Sequence, residues 1–300
     1  MGEIIISTKD LYKSFKKKEV LKGLNLNVNK GSIYGFLGKN GAGKTTAIKC
    51  LLGLFRPTSG EAKILGQKST NLPNEVKARI GYIAQEHDLF PWMRVSQIIQ
   101  YTKVFYEKWN DELTSSLLKR FEISGKDVIG KLSVGQAQRL AIVLTLAFEP
   151  DILVLDEPAA SLDPSARRDF LETILDIIQD GKRTVLLSSH ITSDVERVAD
   201  TIGILKDGII QIEKPIEELR ETIKKIRLIP QQGSRMPEKL QIEGALNITI
   251  GPDSALVTVE NYSEKMKTQI EKRWNLKCDV FDINLEDVFL AYHTNIGDIK

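Results

Sequence analysis

The segment Gly38-Lys39-Asn40-Gly41-Ala42-Gly43-Lys44-Thr45-Thr46 follows the pattern G-x-x-x-x-G-K-[ST], and both of its flanks carry the periodicity such a loop needs. Upstream, Ile33-Tyr34-Gly35-Phe36-Leu37 has the length and apolar character of a buried strand. Downstream, Ala47, Ile48, Leu51 and Leu52 recur at helical spacing. A loop so placed leads a strand directly into a helix N-terminus, which commits the chain to an α/β layout. Its glycines let successive backbone N–H groups turn inward, and the helix N-terminus adds partial positive charge. The expected occupant is a nucleoside triphosphate, with Lys44 reaching the β- and γ-phosphates and Thr45 offering its hydroxyl to Mg²⁺.

A second cluster lies far downstream. Ile152-Leu153-Val154-Leu155-Asp156-Glu157-Pro158 is an apolar run of strand length that ends in two carboxylates. Being apolar at every position, it is expected to be a parallel strand covered on both faces. Open α/β sheets bind ligands outside the carboxyl ends of their strands, so these carboxylates belong at the site. Asp156 is suited to hold Mg²⁺ through a water, and Glu157, pointing the other way, to polarise an attacking water. Phosphoryl transfer asks a protein mainly for positioning and charge stabilisation, so a metal carboxylate plus a water-orienting group is a minimum set.

Between the two clusters runs Leu132-Ser133-Val134-Gly135-Gln136-Ala137-Gln138-Arg139, followed by an apolar stretch over residues 140–148 that is expected to be helical. A Ser followed by Gly at a helix start offers a hydroxyl, backbone N–H groups and a dipole to an anion, which duplicates the first anion site within one chain. The order glycine loop, Gln85, Leu-Ser-x-Gly-Gln, Asp156-Glu157, Ser161-Leu162-Asp163-Pro164 and His190 resembles the nucleotide-binding subunit of ABC transporters, over residues from about 4 to 216.

That resemblance implies ATP as the nucleotide. It implies that Gln85 lies in a loop sensing Mg²⁺ and the γ-phosphate, sharing the metal with Thr45 and Asp156. His190 would contact the γ-phosphate, completing a catalytic set of Glu157, His190, Lys44 and Gln85. Ser133, Gly135 and Gln136 would cap the nucleotide of a second subunit, identical or not, and Asp163 would join the nucleotide-binding residues. An aromatic residue upstream of the glycine loop stacks on adenine in this family; alignment through Leu11, Lys13 and Leu21 points to Phe15, with Tyr12 as the alternative. Val134 stands where the family usually has glycine, leaving Ser133 and Gly135 in place.

With 300 residues and 42% hydrophobic content, the chain is long enough for one sizeable α/β core and a smaller unit. Basic and acidic residues nearly balance at a formal charge of +2, so no nucleic-acid footprint is expected, and the runs Lys16-Lys17-Lys18 and Lys224-Lys225 are expected to be solvated surface. His87 and His293 lack the context of His190, and three histidines give no zinc cluster. Cys50 and Cys278 read as reduced, partly buried thiols. There is no secretory signal pattern, and the longest apolar stretch falls far short of the ~20 residues that cross a bilayer. If the chain is a transporter ATPase, as the resemblance implies, the pore must be another polypeptide. The resemblance thus makes the cytoplasmic face of the membrane the expected location and a transmembrane permease the expected partner. Phe90 and Trp92, flanking Pro91, are expected to help form the groove for it.

The expected fold is a P-loop (RecA-like) α/β core with an antiparallel β subdomain and a helical signature subdomain at about residues 88–145, all within residues 1–218, and a small α+β C-terminal domain over 219–300. Pro164 starts a helix closed by Gly181, Lys206-Asp207-Gly208-Ile209 forms a tight hairpin, and Gln231-Gln232-Gly233-Ser234 is a loop. Strands are expected at 246–250, 256–260 and 278–283, and a helix at 263–274. The ending Leu285-Glu286-Asp287-Val288-Phe289-Leu290 resembles that of the small C-terminal domain on ATPases of bacterial exporters whose permease is a separate chain.

Overall fold

The computed structural model describes residues 2–85, 89–160, 162–178, 183–231 and 234–293. His87, Ser161, Gly181, Gln232 and Gly233, named above, lie outside them. In chain order the elements begin β1 (Ile4–Phe15), β2 (Lys18–Asn29), β3 (Ile33–Gly38), α1 (Lys44–Leu51), β4 (Ser59–Ile64), β5 (Gln67–Lys68), α2 (Asn74–Lys77) and β6 (Ile80–Ile83). A helical stretch follows, α3 (Val95–Lys103), α4 (Asp111–Arg120) and α5 (Val134–Leu146). Alternation then resumes with β7 (Ile152–Asp156), α6 (Pro164–Ile178), β8 (Thr184–Ser189), α7 (Thr192–Val198), β9 (Thr201–Lys206) and β10 (Ile209–Pro215). The remainder is α8 (Ile216–Thr222), β11 (Lys224–Pro230), β12 (Ala245–Ile250), β13 (Ala255–Val259), α9 (Glu264–Trp274), β14 (Leu276–Phe281) and α10 (Leu285–His293).

The central sheet runs β10-β9-β3-β8-β7-β6, with every pairing parallel except the β9–β10 hairpin. The hairpin turns through Asp207 and Gly208 at φ 51° and 82°, which is the two-residue turn expected there. β3, β7 and β8 are buried along their whole length because both faces of the sheet are covered. On one face Tyr34, Phe36, Val154 and Leu186 meet α1 and the antiparallel sheet β2-β1-β4-β5. On the other, Leu37, Leu153, Leu155 and Leu187 meet α5, α6 and α7. In β2 the alternation of buried Leu24, Leu26 and Val28 with exposed Asn25 and Asn27 explains its single covered face. The expected α/β core with an antiparallel sheet is thus present.

Gly35 sets how closely α7 approaches the sheet. A Cβ at that position would lie 2.1 Å from Val195 Cγ1, so a larger residue would push α7 away from β3. Helix α5 starts at the expected serine, because Ser133 caps it directly.

Within residues 224–281 the chain forms the sheet β12-β13-β11-β14, backed by α9 around Ile226, Leu228, Val257, Ile270 and Leu276. Lys224 and Lys225 are not a solvated run: they begin β11, and their ammonium groups lie 2.6 Å from Asp282 and 3.4 Å from Asp287. Helix α10 then leaves this sheet and buries Leu285, Val288 and Phe289 in the main core. Glu196 on α7 accepts the Leu285 N–H at 3.3 Å, and Lys206 at the end of β9 donates to the Tyr292 carbonyl at 3.2 Å. Truncating Phe289 to Ala should therefore lower the stability of the whole core by roughly 3 kcal/mol, the usual cost of deleting a buried ring. Urea unfolding followed by tryptophan fluorescence checks this; an unchanged midpoint would mean that α10 is a detachable appendage.

Candidate functional site

β3 ends at Gly38 and α1 begins at Lys44, so the glycine loop spans the gap between them. Gly43 caps α1 at φ 114°, and a Cβ there would sit 3.0 Å from Leu21 Cδ2 and 3.3 Å from the Val20 carbonyl oxygen. Only glycine fits that combination of dihedral and crowding. No side chain caps α1, which leaves its first-turn N–H groups to an anion.

Lys44 lies back over the loop. Its Nζ donates to the Gly38 carbonyl at 2.6 Å and the Lys39 carbonyl at 3.4 Å, and lies 2.9 Å from Glu157 Oε1. The other carboxylate oxygen, Oε2, lies 2.7 Å from His190 Nδ1 and accepts the His190 backbone N–H at 3.3 Å. Lys44 and Glu157 are 5% and 6% exposed, whereas the His190 side chain is 39% exposed. Removing either member of so buried a pair strands the other charge, typically at a cost of about 3–5 kcal/mol.

Strand order brings these groups together. Leu37 of β3 pairs with Ser189 of β8, and Asp156 of β7 pairs with Ser188, so the carboxyl ends of three adjacent strands deliver Lys44, His190 and Glu157 to one place. Glu157 leaves its strand at φ 51°, a left-handed conformation that costs a non-glycine residue on the order of 1 kcal/mol. Its N–H holds that turn by bonding the Ser188 carbonyl at 3.2 Å and Oγ at 3.1 Å.

Asp156 is fully buried. Its Oδ1 accepts from Ser188 Oγ at 2.7 Å, while Oδ2 has no hydrogen-bond partner. Burial pushes its pKa up, against the opposing influence of the Ser188 and Thr45 hydroxyls. Tyr82 on β6, half-buried nearby, is pushed up to about 12 by burial and by the Asp156 charge. An orphaned carboxylate oxygen close to a threonine hydroxyl is the donor chemistry that a small, hard cation such as Mg²⁺ takes.

A cavity of about 560 Å³ opens beside this network, lined by Lys39, Asn40, Gly41 and the run from Gly43 through Thr46 of the glycine loop, by Phe15, Lys18 and Val20, and by Gln85 and Glu157. Phe15 is 41% exposed on it. Tyr12 does not line it; the Tyr12 hydroxyl packs over Gly23 instead. A cavity of similar size, about 510 Å³, lies elsewhere around Arg79, Tyr106 and Phe148, but it contains neither the glycine loop nor the paired carboxylates.

None of the remaining named residues, His190 and Asp156 included, lines this cavity. Ser133 Oγ accepts the Gln136 N–H at 3.2 Å and Gln136 Oε1 accepts the Ser133 N–H at 3.0 Å, a reciprocal cap at the exposed start of α5. Gly135 faces Leu162, and Val134 is 70% exposed. Asp163 caps α6 by accepting the Ser165 and Ala166 N–H groups, both at 3.0 Å; the Ala166 bond chiefly holds its carboxyl below the usual value. Two residues that carry no role in the sequence reading connect these parts. Ser188 bridges Asp156 and Glu157, and the buried Gln138 donates to the Pro158 carbonyl at 2.7 Å, tying α5 to the exit of β7. The sequence signal for Ser188 is a hydroxyl at the end of an otherwise apolar strand.

The family model described as ABC transporter matches residues 21–160. The bacitracin transport ATP-binding protein BcrA of Bacillus licheniformis is 36% identical over 225 residues, which cover 74% of this chain and 73% of that protein. The chain belongs to the ABC transporter ATP-binding proteins. YtrB of Bacillus subtilis, an ABC transporter ATP-binding protein, is 28% identical over 290 residues, covering 96% of this chain and 97% of YtrB. The dimeric structure of a bacterial ABC transporter cassette superposes with a TM-score of 0.64 at 25% identity, covering 71% of this chain and 99% of that cassette. This ABC protein is accordingly an ATP-binding, ATP-hydrolysing transport subunit.

Substituting Ser188 by Ala should cost about 1–3 kcal/mol, because it removes a donor from a buried carboxylate that already has one orphaned oxygen. Guanidinium unfolding, with Ser188→Thr as the hydroxyl-retaining control, measures it. Equal midpoints for the Ala and Thr variants would show that the hydroxyl bridge is dispensable.

Proposed function

We propose that this subunit is the motor of an exporter, binding Mg²⁺-ATP at the glycine loop and acting as a dimer on a separate transmembrane permease at the cytoplasmic face of the membrane. The observation that carries the proposal is the convergence of Lys44, Glu157, His190 and Asp156 at the carboxyl ends of adjacent parallel strands, with Lys44 and Glu157 on the wall of the cavity. Arriving phosphates take over from Glu157 as the partner of Lys44, which frees the carboxylate to orient the attacking water while His190 holds the γ-phosphate. Thr45 and Asp156 would hold Mg²⁺, with Gln85 at the cavity edge; when bound, the ion neutralises charge between the β- and γ-phosphates. Phe15 supplies the surface for the base.

Ser133, Gly135, Gln136 and Asp163 lie outside the chain's own cavity, at helix starts that are partly or fully exposed, which supports their use on the nucleotide of a second subunit. The permease would meet the aromatic series on the helical subdomain. Phe90 lies 5.4 Å from Trp92 and 5.6 Å from Tyr101, Tyr101 lies 5.3 Å from Phe105, and Trp92 is 72% exposed. Aromatic anchors of this kind dominate binding energy at protein interfaces. Among the described residues no helix is long and apolar enough to cross a membrane. Residues 219–300 are proposed as an accessory unit, with α10 joining it to the ATP-binding unit of residues 1–218. The bacitracin transport named for BcrA favours a bacitracin-like compound as cargo.

Glu157→Gln should retain ATP binding while cutting hydrolysis by ~10²-fold or more, since it removes the base and spares the phosphate cradle. A phosphate-release assay beside calorimetric ATP titration tests both halves. Near-wild-type turnover would remove Glu157 from the mechanism.

A further inference from the structure

Phe15 does not stand alone at the cavity. Its ring meets that of Phe55 edge-to-face, with centroids 5.4 Å apart and planes at 76°. The Lys13 ammonium lies 4.8 Å from the Phe15 centroid and 5.8 Å from that of Phe55, and is itself fixed by donating to the Arg56 carbonyl at 2.8 Å. Lys49, in the last turn of α1, covers Phe55 from 5.4 Å. The Phe55 N–H bonds the Lys49 carbonyl at 2.9 Å, so this second ring is attached to the end of the helix whose first residue is Lys44. The same segment is stitched to the end of β1: the Thr58 N–H bonds the Tyr12 carbonyl at 2.8 Å and Thr58 Oγ1 accepts the Ser14 N–H at 2.9 Å.

We infer that Phe55 and Lys13 are positioning residues for the nucleobase: they lock the Phe15 ring at a fixed distance and tilt from the phosphate cradle, with one face taken by the Lys13 cation and the remaining surface open to a stacked purine. The inference rests on the proposed use of Phe15 as the base surface. An exposed phenylalanine on a strand end is free to turn, and stacking a base on it costs that freedom. Here the edge-to-face contact and the cation remove the freedom in advance, and α1 transmits the position of the loop to that of the ring. The cation also draws π-density from the ring, which improves stacking with an electron-rich purine. Phe55 is partly buried against the core of the antiparallel sheet rather than placed on the cavity, so it acts only through Phe15.

The test compares ATP with inorganic tripolyphosphate, which engages the cradle but has no base, by calorimetric titration in the presence of Mg²⁺ on the full chain. Phe55→Leu should weaken ATP about two- to tenfold and Lys13→Met about two- to fivefold, with tripolyphosphate affinity unchanged in both. Phe55→Tyr should restore ATP affinity, and in Phe55→Leu the rise should fall on KM for ATP rather than on kcat. Loss of ATP and tripolyphosphate binding together would show that Phe55 merely supports the fold, and would overturn the inference. So would a selective ATP defect in Phe15→Ala accompanied by wild-type affinities in Phe55→Leu and Lys13→Met, which would leave the base surface itself standing. If Phe15→Ala binds ATP normally, the base surface is wrong as well, and the inference falls with it.

Discussion

An ammonium buried as deeply as Lys44 must have a counter-charge, and in this chain the counter-charge is the carboxylate of Glu157 at 2.9 Å. The rest of the site is arranged around that requirement. The left-handed turn at Glu157, the bifurcated hydrogen bond its N–H donates to the Ser188 carbonyl and Oγ, and the contact with His190 all serve to hold one carboxylate against one ammonium. In the proposed function a triphosphate presents the same negative charge in the same place, so nucleotide binding would be an exchange of partners at Lys44 and not the neutralisation of a bare cation. The exchange releases Glu157 next to the phosphate it is proposed to attack with water, which couples binding to readiness for hydrolysis.

That geometry depends on strand register. A one-residue slip between β7 and β8 would turn Ser188 away from Asp156 and send Glu157 to the opposite face of the sheet. Register is secured by burial on both faces, by Gly35, which lets α7 lie against β3, and by α10, which closes over α7 and β9 from the far end of the chain. The C-terminal part thus contributes to the core that holds His190 in place, whatever else it does.

Local chemistry explains which features are legible in the sequence. The glycine loop, the strand that carries Asp156-Glu157, the hairpin at Asp207-Gly208 and the helix after Pro164 each announce themselves within a few residues, because turn chemistry and periodicity are short-range. The Lys44–Glu157 pair, the Ser188 bridge and the Gln138 bond to Pro158 depend on which strand lies beside which, and no window of sequence contains that. β11 is obscured for a different reason: its opening lysines resemble a surface run, although Ile226 and Leu228 behind them alternate as a half-buried strand should. The return of α10 to the main core is also tertiary, since its apolar face would suit either sheet.

Within one chain the proposed nucleotide site is half built. The cradle faces a cavity that no signature residue reaches, while Ser133 caps an exposed helix start elsewhere. The central claim is that two chains complete each other, and nucleotide retention by mixed variants tests it most directly. On a Glu157→Gln background that prevents turnover, Lys44→Ala destroys the cradle and Ser133→Arg blocks the signature, so neither variant alone should hold labelled ATP through gel filtration. Their equimolar mixture should retain ATP in a dimer peak, because the cradle of one chain and the signature of the other form an intact composite site. No retention by the mixture, with the Glu157→Gln parent retaining ATP as a monomer, would contradict a site shared between chains.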